Sequence, residues 1–257
     1  MLTLFYFVFA GLLSHVGFLT AKGILSKEVL NILIKLGNIS LYVASGYAML
    51  LLFTTATNRL ILLIFFGSTL FYICCPSINS ALAVLLSAIM LTIACGKDVV
   101  AFLAITLLIL KAVSMMFPDY FLNIYWFEEF VFLGLIVISS LKFFENATPK
   151  ALILALIMTI CFVLPALLNR WLYAMLISWS IGLTFSIYHS IPIVLALFVF
   201  FLALFSAGKN AHHFVWIGTL LFNGFLFNYV YQIPIFVCCV LFITKPEATG
   251  WMFRANI

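Results

Sequence analysis

The sequence predicts an all-α fold: a polytopic integral membrane helix bundle of about eight to ten transmembrane helices with very short loops. Three observations predict it. Of the 257 residues, 67% are hydrophobic and only 7% charged, against about 25% charged in soluble domains. A soluble globule must clothe itself in polar groups, so this much apolar surface requires lipid as its solvent. The apolar runs are also long enough to cross hydrocarbon, for which about 17–25 residues suffice. Finally, the polar breaks between runs are short, which predicts a single polytopic transmembrane domain over 1–257.

The elements follow in order. "MLTLFYFVFAGLLSHVGFLT" at 1–20 has no basic leader and no A-x-A cleavage site, so it reads as a membrane helix and not a signal peptide. After "AKGILSKE" the next helix is placed at 38–57, because "LGN" at 36–38 continues a helix poorly; one long kinked helix over 27–57 is the alternative. "TNR" closes that helix, a third covers 60–75, and Pro76 separates it from 78–95. "GKD" precedes a helix at 99–117, "PD" one at 120–141 and "KFFENATPK" one at 151–168. "NR" precedes 171–189, and Pro192 opens 191–207. The last run, 213–243, is long for one perpendicular span and carries Pro234 near its middle, so it is one tilted helix or two short ones.

The net charge of +5 is spread thinly. No basic cluster with interleaved aromatics exists, which excludes a nucleic-acid partner. With ten or eleven spans, Lys22, Lys27, Lys35, Arg170, Lys209, Lys245 and Arg254 fall on one side, and Arg59, Lys97, Lys142 and Lys150 on the other. The richer side is expected in the cytoplasm, with the N-terminus outside. The partners expected are the bilayer and proteins within it. The short loops suggest a prokaryotic cell (inner) membrane.

Against this background Glu128 and Glu129, in "FPDYFLNIYWFEEFVFLGL", stand out, since charge inside a bilayer costs several kcal/mol unless it is paired or faces water. Lys111 precedes Pro118 by seven residues and Glu128 follows it by ten. Two helices joined by so short a turn run antiparallel, so Lys111 and one glutamate should meet at comparable depth, about 10–15 Å from the turn. The other glutamate points about 100° away and needs a different partner: His189, Tyr188, Arg170 or water. A second polar patch lies in "NGFLFNYVYQIP" at 223–234, where Asn228 and Gln232 are four apart and would share a helix face. "GNISLYVASGY" at 37–47 is rich in small residues and reads as a close-packing face.

Six cysteines lie within or beside apolar runs without C-x-x-C spacing, and they read as small buried hydrophobes. The histidines His15, His189, His212 and His213 offer no matched pairs for haem, so neither a metal nor a cofactor is expected.

Two short stretches, "EEFVFLG" at 128–134 and "FSIYH" at 185–189, resemble fragments of the CAAX-type intramembrane protease motifs. Glu128 and Glu129 match that family's paired glutamates, and Phe185 with His189 its Phe-x-x-x-His. The arginine four residues after the second glutamate is replaced by Leu133. Its later His-x-x-x-Asn is missing, because His212 and His213 are followed at that spacing by Trp216 and Ile217. The resemblance implies a hydrolytic site of Glu128, Glu129 and His189. The favoured expectation is different: a permease-like protein moving a small solute or ion through a polar centre, with Glu128, Glu129, Lys111, Asn228 and Gln232 along its path. A non-catalytic scaffold, assembly or immunity subunit is the first alternative and the intramembrane hydrolase the second.

Overall fold

The structure, a computed structural model, describes residues 26–55, 58–142, 147–168 and 230–245, with short helical pieces at 198–199, 201–203, 205–206, 216–217 and 219–220. Every regular element among them is a helix: α1 Lys27–Thr55, α2 Arg59–Cys74, α3 Ile78–Cys95, α4 Val99–Met116, α5 Phe121–Leu141, α6 Pro149–Leu168 and α7 Ile233–Thr244. Single 3₁₀ turns, Pro118–Tyr120 and Val230–Gln232, lead into α5 and α7. Of the described helices, two are long and apolar enough to cross a membrane: Lys35–Thr54 within α1, and α4.

Local chemistry sets these boundaries. Asn58 caps α2 by accepting from the Ile61 N–H. Ser77 and Ser80 form a reciprocal capping box at the start of α3, just after Pro76. Asp98 caps α4 through the Val99 N–H. The "TNR", "PS" and "GKD" breaks are therefore capped corners, and the helices they delimit match the sequence expectation to within a residue or so.

Two regions that the sequence left open take definite starts. The helix placed at 38–57 begins at Lys27 and runs without a break through Gly37 and Asn38. Gly37, Leu41, Ala44, Ser45 and Ala48 form a buried stripe at helical spacing, and α7 is the main neighbour of α1. Close packing on that small-residue face outweighs the roughly 1 kcal/mol that a mid-helix glycine costs. In the last run, helix starts afresh at Ile233 after the 3₁₀ turn, with Pro234 in its first turn, where a missing N–H removes no helical bond. Gln232 is the N-cap of α7, and Asn228, expected to share a helix face with it, lies outside the described residues.

α2, α3, α4 and α5 pack in chain order as antiparallel neighbours, and α7 lies against α1, α3 and α4. From Ile233 to Ile243 every residue of α7 is buried, whereas the outward faces of α1 to α4 carry exposed Leu50, Leu60, Ile78 and Phe102. The bundle is thus apolar at its centre and apolar again on its outside.

Candidate functional site

α4 and α5 form a hairpin turned by Phe117, Pro118 and Asp119, and its inner face carries buried charged side chains. Lys111 and Ser114 are one turn apart on α4, and both are buried. Lys111 is only 7% exposed, as is Glu129 on α5, while Glu128 is half-buried. Lys111 and Glu128 lie close enough for each charge to act on the other, and the Ser114 hydroxyl lies within hydrogen-bonding reach of the Glu128 carboxylate. Ser114 Oγ also donates to the Lys111 carbonyl at 2.9 Å. One oxygen of Glu128, Oε1, is buried without a hydrogen-bond partner among the described residues.

The structure therefore brings Lys111 to Glu128, and Glu129, the next residue on α5, is buried. The partners considered for Glu129, namely Arg170, Tyr188 and His189, lie outside the described residues, as do His15, His212 and His213. Ser114 was missed in the sequence. Its spacing of three from Lys111 on one helix was the available signal.

The second patch is partly described. Gln232 is fully buried. Beside it the Tyr231 hydroxyl donates to Asn38 Oδ1 on α1 at 3.4 Å, and the Tyr231 ring lies 5.0 Å from that of Tyr42.

A third polar group sits at the opposite end of the hairpin. Lys142, just past α5, donates to Asp98 Oδ2 and, at 3.3 Å, to the Thr244 carbonyl that ends α7. The hydrogen bond and charge of Lys142 hold the Asp98 carboxyl below the usual carboxylate range. A cavity of about 10 Å³, room for one water, lies beside this contact between α3, α4 and α7. This geometry overturns the placement of Lys245, which sits at the end of the bundle that holds Lys97 and Lys142. Moving that one residue reduces the seven-to-four division of basic residues to six and five, and the charge bias no longer selects an orientation.

The cysteine expectation also divides. Cys238 and Cys239 are buried in α7, but Cys74 and Cys75 are exposed at the end of α2, and all four are free thiols. Among the described residues, no three of His, Cys, Asp and Glu converge as a metal site would require.

No family model, no curated protein and no solved structure matches this chain.

Proposed function

We propose that the chain is a multi-pass membrane protein of a cell (inner) membrane, permease-like, moving a small solute or ion past a polar centre at Lys111, Glu128 and Glu129. One observation carries this reading: opposite charges are buried between α4 and α5 in a bundle whose outer surface is itself apolar. Intramembrane ionisable residues that face the bundle interior commonly mark ion or substrate pathways. The membrane setting draws support from α1 and α4. Less than half of each apolar window is buried, so much of their apolar surface faces outward, as lipid-facing spans do.

The glutamine variants test the reading. Glu→Gln keeps the shape and removes the charge, so for a carboxylate that handles the passing species, activity falls while membrane abundance holds. The measurement is abundance alongside whatever cellular phenotype deletion of the gene produces, for Glu128→Gln and Glu129→Gln separately. Full activity in both variants, or activity lost only in step with protein, defeats the proposal.

The Lys111–Glu128 juxtaposition also favours the scaffold alternative, in which the pair fixes one hairpin and nothing passes. There, abundance and phenotype fall together. The hydrolase alternative turns on His189, which lies outside the described residues, and it gains no support from the hairpin.

A further inference from the structure

Thr69, Thr92, Ser114 and Thr159 are buried hydroxyls satisfied by their own helix, each donating to a carbonyl three or four residues back. Ser139 and Ser140 have such carbonyls one turn back as well, because α5 is unbroken from Phe121 to Leu141. Both serines are completely buried, yet neither hydroxyl has a hydrogen-bond partner among the described residues. A buried polar group in that state calls for strain, a function or bound water to explain it. Their place on α5 points to the last two. Ser139 lies eleven residues past Glu128, and Ser140 eleven past Glu129. Eleven residues make three turns to within about 20°, so each serine shares a face with one glutamate, about 16 Å further along. The Lys111–Glu128 and Asp98–Lys142 pairs fix one antiparallel register for the hairpin. In that register Ser139 and Ser140 stand level with Ala101 and Val100 of α4, both buried. Ala101 also lines the small cavity beside Thr92, Gly96 and Thr244. Polar groups therefore follow α5 at three levels: the glutamates, the serines, and Lys142 at the end of the bundle.

We infer that Ser139 and Ser140 line a water-accessible passage along α5, between the level of Glu128 and the Asp98–Lys142 end, and that their hydroxyls bind the water that fills it. This rests on the permease reading and names the end of the bundle through which the polar centre reaches water. A serine hydroxyl both donates and accepts, so it holds water in either orientation. Being neutral, it binds a passing charge too weakly to trap it. In the packed state both serines are sealed, and the hydroxyls gain partners only when the interior around them admits water. The orphaned hydroxyls thus raise the free energy of the sealed state relative to the open one, which shifts the population toward opening. Replacing them with alanine removes that bias and the bound water together, and leaves the sealed packing as it is.

The test is solvent access to a thiol at these positions in the full chain, purified in lipid nanodiscs. In a cysteine-free background, Ser139→Cys and Ser140→Cys are each exposed to silver ion, a small water-borne thiol ligand, and the remaining free thiol is titrated after denaturation. The reference is a chain that keeps only Cys238, which is fully buried in α7. At least one serine position should react about tenfold or more faster than Cys238, since thiol reactivity follows access. In a second arm, the double variant Ser139→Ala with Ser140→Ala should lose the cellular phenotype while membrane abundance and the unfolding midpoint hold or rise. Reaction at both positions no faster than at Cys238 overturns the inference. Full phenotype in the double alanine variant, or phenotype lost only in step with protein, overturns it too. Failure of that variant to fold is equally fatal, because it shows that the hydroxyls were already bonded. Where a cysteine variant fails to fold, the double alanine variant decides alone. Reactive thiols and an inactive double alanine variant, with full phenotype in both Glu→Gln variants, sink the permease reading and leave the passage standing. Phenotype lost in a Glu→Gln variant with unreactive thiols does the reverse.

Discussion

A hydroxyl inside an apolar helix can be satisfied by the carbonyl one turn back, and this chain uses that device repeatedly. Thr69, Ser87, Thr92 and Thr159 all donate to the residue four before. Ser139 and Ser140 break the pattern: both are fully buried, and neither Oγ has a hydrogen-bond partner among the described residues. An unsatisfied buried hydroxyl costs about 1–3 kcal/mol, so Ser139→Ala and Ser140→Ala should each hold or raise the thermal unfolding midpoint, by up to about 1 kcal/mol in stability. Thr92→Val, by contrast, loses a made bond and should not gain. The same scale governs Lys111. Lys111→Met strands Glu128 and should cost about 3–5 kcal/mol, whereas Lys111→Met with Glu128→Gln should be milder. A double-mutant cycle on unfolding midpoints measures this, and an unchanged midpoint in Lys111→Met alone would remove the pair. The amino-acid order alone makes that pair legible, because Pro118 and the residue spacing set the register of a tight hairpin. The surroundings of Glu129 depend on distant chain that spacing cannot reach.

At the level of elements, the sequence was most readable where a boundary is local. Asp98, Ser77 and Asn58 are side chains that cap the helix they precede, and each stood beside a polar break or a proline. The start of α1 was left open between 27 and 38 because its continuity through Gly37 depends on α7, a partner far along the chain. The Asp98–Lys142 junction was missed for the same reason. Its behaviour with pH follows from the lowered carboxyl. The folded group ionises below the ordinary aspartate value of about 3.9, so its contribution is fully present above that value. It is lost as pH falls through the lower folded value. Both side chains are partly exposed and screened by water, so the charge contributes less than about 1 kcal/mol. Asp98→Asn keeps an N-cap while losing the charge. It should flatten the acid limb of a stability–pH curve, and Asp98→Ala should cost about 1 kcal/mol more through the lost cap. An acid limb in Asp98→Asn that matches wild type would assign the pH response to other carboxylates.

For the whole molecule, the Thr244–Lys142 contact and the reach of α1 set the two ends apart. α7 starts where Tyr231 meets Asn38 and finishes beside Gly96 and Lys142, while Lys27 lies eleven residues beyond Asn38 in the other direction. In a membrane, Lys27 and Lys245 then face opposite compartments, contrary to the shared side that counting spans suggests. Cysteines introduced at these two positions in a cysteine-free background should react with an impermeant reagent from opposite faces. Labelling of both from the same face would break the arrangement. Counting treats every long apolar run as one or two whole crossings. A buried twelve-residue helix preceded by a 3₁₀ turn fits neither description.

α7 also bears on how the chain is made. It is about 18 Å long, too short to span hydrocarbon unaided, and it is enclosed by α1, α3 and α4, which are synthesised long before it. Until translation passes residue 244, α7 cannot take its place against the small-residue face of α1, and the growing chain lacks that packing. Nascent chains halted before residue 230 should therefore be cleared rapidly by membrane proteases. Supplying the missing C-terminal segment as a separate polypeptide should prolong their lifetime.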